Sequence, residues 1–325
     1  MIDLHLHLDG SLPIDTVIKL ARLQNIPLPS ESDKTLKKYL AVSPAAQSLN
    51  DYLKCFDLPI TLLQSREAVE LSVYELIGEL TGQGIVYSEI RFAPQLHTKN
   101  GCKQNEIIEA AIRGLKKAEK NFSTKSNLIL CTMRGGSECD NLETVRLAAE
   151  YLNSGVCAVD LAGAEAIYKT EIYRNVFELA AGLQVPFTIH AGEADGAQSV
   201  RTAVNFGARR IGHGVAAVND IDLLSEIKRK NIAIECCLTS NLQTRAVADI
   251  STHPIKEFLR MGINASINTD NMTVSDTTIE KELSLLERIA PDVSRERLFK
   301  NAVNAAFLSE EEKADILKET LNKSR

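Results

Sequence analysis

Eight times along the chain a short apolar run is followed by a helical pattern, and few folds accommodate that repetition. The runs lie at 2–9, 85–92, 128–133, 156–161, 186–190, 210–213, 232–237 and 264–268. Helical patterns at 105–121, 142–152, 171–183, 197–206, 220–230, 255–261 and 277–289 follow the second to the eighth. The first run is followed by a longer helical stretch, about 12–83. Eight strand-then-helix units in series predict an α/β fold, a (β/α)8 TIM barrel. It would carry a helical insertion after the first strand and extra C-terminal helices within 295–321. A length of 325 residues suits one such barrel, so 1–325 is expected to be a single domain.

In this fold catalytic side chains sit at the C-terminal ends of the strands, and the unusual residues fall there. From Ile2 to Asp9 apolar and polar residues alternate, so Leu4, Leu6 and Leu8 share one face while His5, His7 and Asp9 share the other. A strand buried on both faces would fill the second with Val, Ile or Leu. Two imidazoles about 7 Å apart on one strand can instead close on a single ion. His190 ends the fifth run with Glu193 just beyond, His213 ends the sixth, and Asp270 follows the eighth. Four of the six histidines therefore share one rim. His97 and His253 are weaker candidates, the second being a helix-start residue before Pro254.

Three imidazoles and a carboxylate suit zinc or another borderline divalent ion, with a position left open for water. Glu193, flanked by Gly192 and Ala194, is placed to act as proton donor if burial raises its pKa. His213, not needed as a ligand, is expected to orient or deprotonate that water. Gly163 ends the fourth strand, where a missing side chain lets a flat ligand reach a backbone N–H. Leu49, Tyr52, Leu53 and Phe56 recur at i, i+3, i+4 and i+7, one apolar helix face, which on spacing alone reads as core.

The net charge of −6 argues against a nucleic-acid groove, and no apolar run reaches the roughly 20 residues of a membrane span. The N-terminus does not read as a signal peptide. Seven cysteines without repeating spacing do not suggest a disulfide framework. Adjacent Cys236 and Cys237 read as small core residues. A reducing, cytoplasmic setting is expected.

At these residues the chain resembles the adenosine deaminase family of the metal-dependent amidohydrolase superfamily. The matching stretches are His5 to Ser11, Ser88 to Pro94, Asp160 to Gly163, His190 to Glu193, Ile211 to Gly214, Thr239 to Asn241, and Asn268 to Asp270. The resemblance implies one Zn2+ per subunit, held by His5, His7, His190 and Asp270. It implies that Glu193 protonates purine N1 and that His213 steers the hydroxide adding to C6, with Asp270 beside it. Ammonia would leave, giving inosine or 2′-deoxyinosine in purine salvage. Gly163 would contact N3, Asp9 and His7 the ribose 5′-hydroxyl, and Asn271, where many members have aspartate, N7. The face of Leu49, Tyr52, Leu53 and Phe56 would be a flap over the pocket. The substrate expected is a small-molecule nucleoside. Free adenine or another aminopurine is the alternative, and a non-catalytic nucleoside-binding barrel a remoter one. No lysine at the fourth strand end bridges a second metal.

Overall fold

Parallel strands account for all eight apolar runs in the computed structural model, which describes residues 1–322; the last three of the expected 1–325 unit lie outside the described residues. The strands are β1 (Ile2–His7), β2 (Tyr87–Phe92), β3 (Lys125–Met133), β4 (Val156–Ala162), β5 (Thr188–Ala191), β6 (Arg210–His213), β7 (Ala233–Cys236) and β8 (Ala265–Ile267). They pair in sequence order as β1 to β4 and β5 to β8. Two parallel bridges, Val159 with Phe187 and Leu6 with Asp270, join the two sets into a closed barrel. At the second seam the His7 N–H donates to the Asp270 carbonyl and the Asp270 N–H to the His5 carbonyl, both at 2.8 Å.

Closure separates two environments. The outward side chains of the strands, such as Leu6, Ile90, Leu130, Val159 and Ile234, meet the surrounding helices in one apolar layer. At the N-terminal end Leu4, Tyr87, Phe299 and Val303 form a smaller cluster, so the helix Arg295–Ala305 caps the barrel floor. The long insertion contributes the helices Ile14–Gln24, Asp33–Leu40 and Arg66–Gly82, whose apolar faces join the main layer. Between them the expected single helix at 49–56 is instead the short helix Leu49–Leu53 and a 3₁₀ turn Lys54–Phe56, and the helix Asp57–Leu62 follows. Pro59 lies in the first turn of the last piece, where its missing N–H costs nothing; inside a continuous helix it would remove a bond.

The barrel interior is charged. Arg91 and Arg210 are buried with Glu89, Asp160 and Glu235. Arg91 donates to Asp160 Oδ2 and Glu235 Oε2 at 3.0 Å and to the Leu4 carbonyl at 2.6 Å. Arg210 binds Glu235 Oε1 at 2.6 Å and pairs with Glu89, while its guanidinium lies over the Phe307 ring. Removing one member strands buried charge, which typically costs about 3–5 kcal/mol. Arg91→Met is therefore expected to lower the unfolding free energy by about that amount, read as an earlier urea midpoint. An unchanged midpoint would show that the network does not hold the barrel together.

Candidate functional site

Each strand delivers its side chain to the C-terminal mouth by a separate local device. His5 and His7 point inward from β1, their rings 5.4 Å apart. Strand pairing stops at His7, so Asp9 sits in the following turn, still buried; burial pushes its carboxyl up to about 6. Asp3, deeper on the same face, accepts the Thr269 hydroxyl at 2.6 Å, and Asn268 Oδ1 accepts the Leu4 N–H at 2.9 Å. These bonds pin the segment after β8 against β1 and thereby place Asp270. Asp270 and His213 both adopt left-handed backbone, with φ of 59° and 64°. L-residues enter that region at a cost, and such strain concentrates where a side chain must be aimed.

The three imidazoles and Asp270 converge. His7 Nε2 lies 3.2 Å from His190 Nε2, and Asp270 Oδ1 lies 3.3 Å from His5 Nε2 and 3.4 Å from His7 Nε2. His5 Nδ1 is 2.7 Å from Glu235 Oε2, a carboxylate that takes the ring N–H. His190 Nδ1 is 2.9 Å from Asp160 Oδ2, a close charge contact without hydrogen-bond alignment. His5 Nε2 is then left buried without a hydrogen-bond partner. Electron-rich atoms facing one another at these distances make a cradle for a cation, and the donor set fits a zinc-type ion. His5, His190, His213 and Asp270 each offer an atom within 4.8 Å of the others, so His213, not among the expected ligands, joins this cluster while His7 lies outside it. The His213 Nε2, however, is also 3.6 Å from Glu193 Oε2.

Burial, with the nearby Asp270 and Glu165 charges, pushes Glu193 up to about 8, the range in which a carboxyl still carries its proton at neutral pH. Burial opposes ionisation of Asp270 too, but the neighbouring imidazoles, His5 first and then His213 and His7, outweigh it and hold that carboxylate well below its usual range. Two carboxyls in one site are thus driven apart. Thr244 Oγ1 donates to Glu193 Oε1 at 3.0 Å. Glu165, unanticipated from the sequence, holds the turn itself: its carboxylate accepts the N–H groups of Gly192, Glu193, Ala194 and Asp195 at 2.7–3.2 Å. Arg134, also unanticipated, donates to the His190 carbonyl at 2.7 Å. No local spacing marks either residue; Glu165 reaches the site from the loop after β4 and Arg134 from the loop after β3.

Above this group lies a cavity of about 270 Å³. His7, Asp9, Gly163, His190, Glu193, His213, Asp270 and Asn271 line it, and Leu49, Tyr52, Leu53 and Phe56 roof it. The Tyr52 hydroxyl is 2.6 Å from Ser275 Oγ, so the roof is fastened to the segment after β8. Gly163, at φ 104°, leaves the floor bare. Asn271 packs on Gly10, where any Cβ would come within 1.8 Å of its Oδ1. His97 is buried away from the cavity against Phe92. A larger depression, about 940 Å³, opens at the opposite end beside Asn127, Arg209 and Asn264, away from the imidazoles. The seven cysteines are free thiols. Among the described residues no helix is long and apolar enough to cross a membrane.

A family model described as adenosine deaminase matches residues 1–323. The adenosine deaminase of Haemophilus ducreyi is 46% identical over 324 residues, covering 98% of this chain and 94% of that protein. That of Clostridium botulinum (strain Hall) is 42% identical over 325 residues, covering 99% and 96%. Among solved structures, an adenine deaminase from Arthrobacter aurescens superposes with a TM-score of 0.90 at 24% identity, covering 99% of this chain and 98% of that one. At that identity the likeness speaks for the barrel fold.

Proposed function

The chain belongs to the adenosine deaminase family, and from that membership we propose that the mouth of its barrel hydrolyses adenosine and 2′-deoxyadenosine to inosine and 2′-deoxyinosine with release of ammonia. The family catalyses adenosine deamination, and the chain is a hydrolase acting on a cyclic amidine. The amidohydrolase superfamily is metal-dependent, and the buried histidine–aspartate group is compatible with a metal. One Zn2+ per subunit is our reading, in a cytoplasmic enzyme of purine salvage; the free thiols agree with a reducing compartment.

The observation that carries the proposal is the pairing of a cation cradle with a carboxyl kept protonated beside it. His5, His7, His190 and Asp270 would hold the ion. When bound, it supplies Lewis acidity that makes water nucleophilic near neutral pH. Glu193 donates its proton to purine N1, which draws electron density from C6 and lets that carbon accept the oxygen of water. Asp270 stays ionised at the same moment and serves as a proton acceptor, because its environment opposes that of Glu193. His213 orients the attacking oxygen. The Gly163 N–H meets N3, and Asp9 and His7 take the 5′-hydroxyl. Leu49, Tyr52, Leu53 and Phe56 exclude bulk water, which strengthens every polar contact beneath them. Asp270 passes the proton it took to the departing amino group, and collapse of the tetrahedral carbon expels that group as ammonia. The proton left on the added oxygen returns Glu193 to its acid form as the C6 carbonyl forms.

Ammonia release from adenosine, 2′-deoxyadenosine, adenine and AMP, with metal analysis of the same sample, tests this reading. The two nucleosides should turn over fastest; preference for adenine or AMP would overturn it. Asn271 should report on the base through its NH2, a donor toward N7. Asn271→Ala is expected to reduce the preference for adenosine over 7-deazaadenosine about tenfold, the worth of one hydrogen bond of ~1.4 kcal/mol. An unchanged kcat/KM ratio would mean that N7 is not recognised there.

A further inference from the structure

Beneath His213 three hydrogen bonds lead away from the cavity, and the last donor is a backbone amide. The Ile255 N–H, at the start of the helix Ile255–Met261, donates to His253 Nδ1 at 3.2 Å. His253 Nε2 lies 3.1 Å from Asn241 Oδ1, and Asn241 Nδ2 lies 2.9 Å from His213 Nδ1. His253, Asn241 and His213 are all buried. Buried polar groups take their partners from within the protein, so the direction of each bond matters.

That direction follows from the anchored end. A backbone N–H has no other role than donor, so His253 Nδ1 accepts. Burial lowers the His253 pKa to about 3, so the ring is neutral and its one proton sits on Nε2. This N–H needs an acceptor, which turns Asn241 Oδ1 toward it and the Asn241 NH2 toward His213. His213 Nδ1 must then accept as well, and its ring proton sits on Nε2, the nitrogen that faces the cavity. Reversing the sequence would set the Ile255 N–H against a second donor.

Resting on the deaminase reading above, we propose that Asn241 and His253 are positioning residues that lock His213 as the Nε2–H tautomer, a fixed hydrogen-bond donor to the oxygen that adds to C6. So held, His213 has no lone pair to offer a metal, which leaves that place to His7. Nor does it serve as the base that takes the proton from water. Nε2 is already occupied, and a proton on Nδ1 would face the Asn241 NH2. The sequence-level choice between orienting and deprotonating water thereby resolves to orienting.

The tautomer is measurable without turnover, from two-bond 1H–15N correlations in histidine-15N-labelled, zinc-loaded enzyme. The His213 and His253 signals are identified by their loss in His213→Gln and His253→Gln. Both rings should be neutral with the proton on Nε2; a His213 ring protonated on Nδ1 or on both nitrogens would overturn the lock. Asn241→Asp presents only acceptors, so His213 should gain a proton on Nδ1. Its kcat should fall at least about tenfold with KM within about twofold, the pattern of a contact made chiefly in the transition state. Retention of Nε2–H alone in that variant would exclude Asn241 as the setter. If it does not fold, His253→Ala should yield mixed His213 tautomers, and a single unchanged Nε2–H form would exclude the anchor. An enzyme inert toward nucleosides but with the expected tautomer would refute deamination and leave the lock standing.

Discussion

Glu193→Gln should lower kcat for adenosine at least about 100-fold, the lower range for losing a general acid, while the bound metal is retained. The substitution keeps the shape of the side chain and an oxygen for the Thr244 hydroxyl, now 3.0 Å away, but removes the transferable proton. The fold should not suffer. Burial and the nearby Asp270 and Glu165 charges keep the acid protonated, so a neutral amide replaces a group that is itself neutral at pH 7. The melting temperature is expected to be no lower than in the parent. The pH profile gives a second reading. An acid works while protonated, so kcat/KM should be highest below the Glu193 pKa and fall as pH rises through it. For the side chain in its present surroundings that value is about 8, and a cation bound opposite would bring it lower. The alkaline limb should vanish in Glu193→Gln. A kcat within tenfold of the parent, or an unchanged limb, would put the proton donor elsewhere.

Removal of the metal should abolish turnover, and added Zn2+ should restore it. His5 Nε2 is buried without a hydrogen-bond partner, and the His7 and His190 Nε2 atoms face each other at 3.2 Å. Among the described residues no donor reaches His5 Nε2, and the cation proposed there is what would activate water. Chelated enzyme should show ammonia release at the uncatalysed level. Its melting temperature should also fall, because a ligand bound only by the native state stabilises it. Full activity in a sample verified as metal-free would refute the proposed mechanism, whatever the fate of the fold.

The barrel was legible because its signal is local. Each strand is a short apolar run and each helix a 3.6-residue pattern, and β6 and the helices Ala197–Phe206 and Ile255–Met261 lie where the pattern puts them. Strand ends are less local. β3 begins at Lys125, three residues before its apolar run, because pairing with β2 continues through polar Ser126 and Asn127. The helix Leu238–Gln243 follows β7 where no pattern announced one. The 49–56 stretch reads as one helix by spacing and is an α-helical and a 3₁₀ piece in space, since side-chain periodicity does not register which carbonyl each N–H finds.

The chain order of residues was enough to set the eight-unit rhythm and to place His5, His7, His190, His213 and Asp270 on one rim, because strand ends and side-chain alternation follow from covalent spacing. Which groups support them depends on barrel closure. Glu235 under His5, Asp160 beside His190, Glu165 on the Glu193 turn and Asn241 behind His213 come from other strands and loops. Their contacts, and the surroundings that drive Glu193 and Asp270 in opposite directions, exist only where distant segments meet away from water. Proton positions in the site are therefore a property of the folded barrel, while the residues proposed to hold its ion were already written in the strands and their ends.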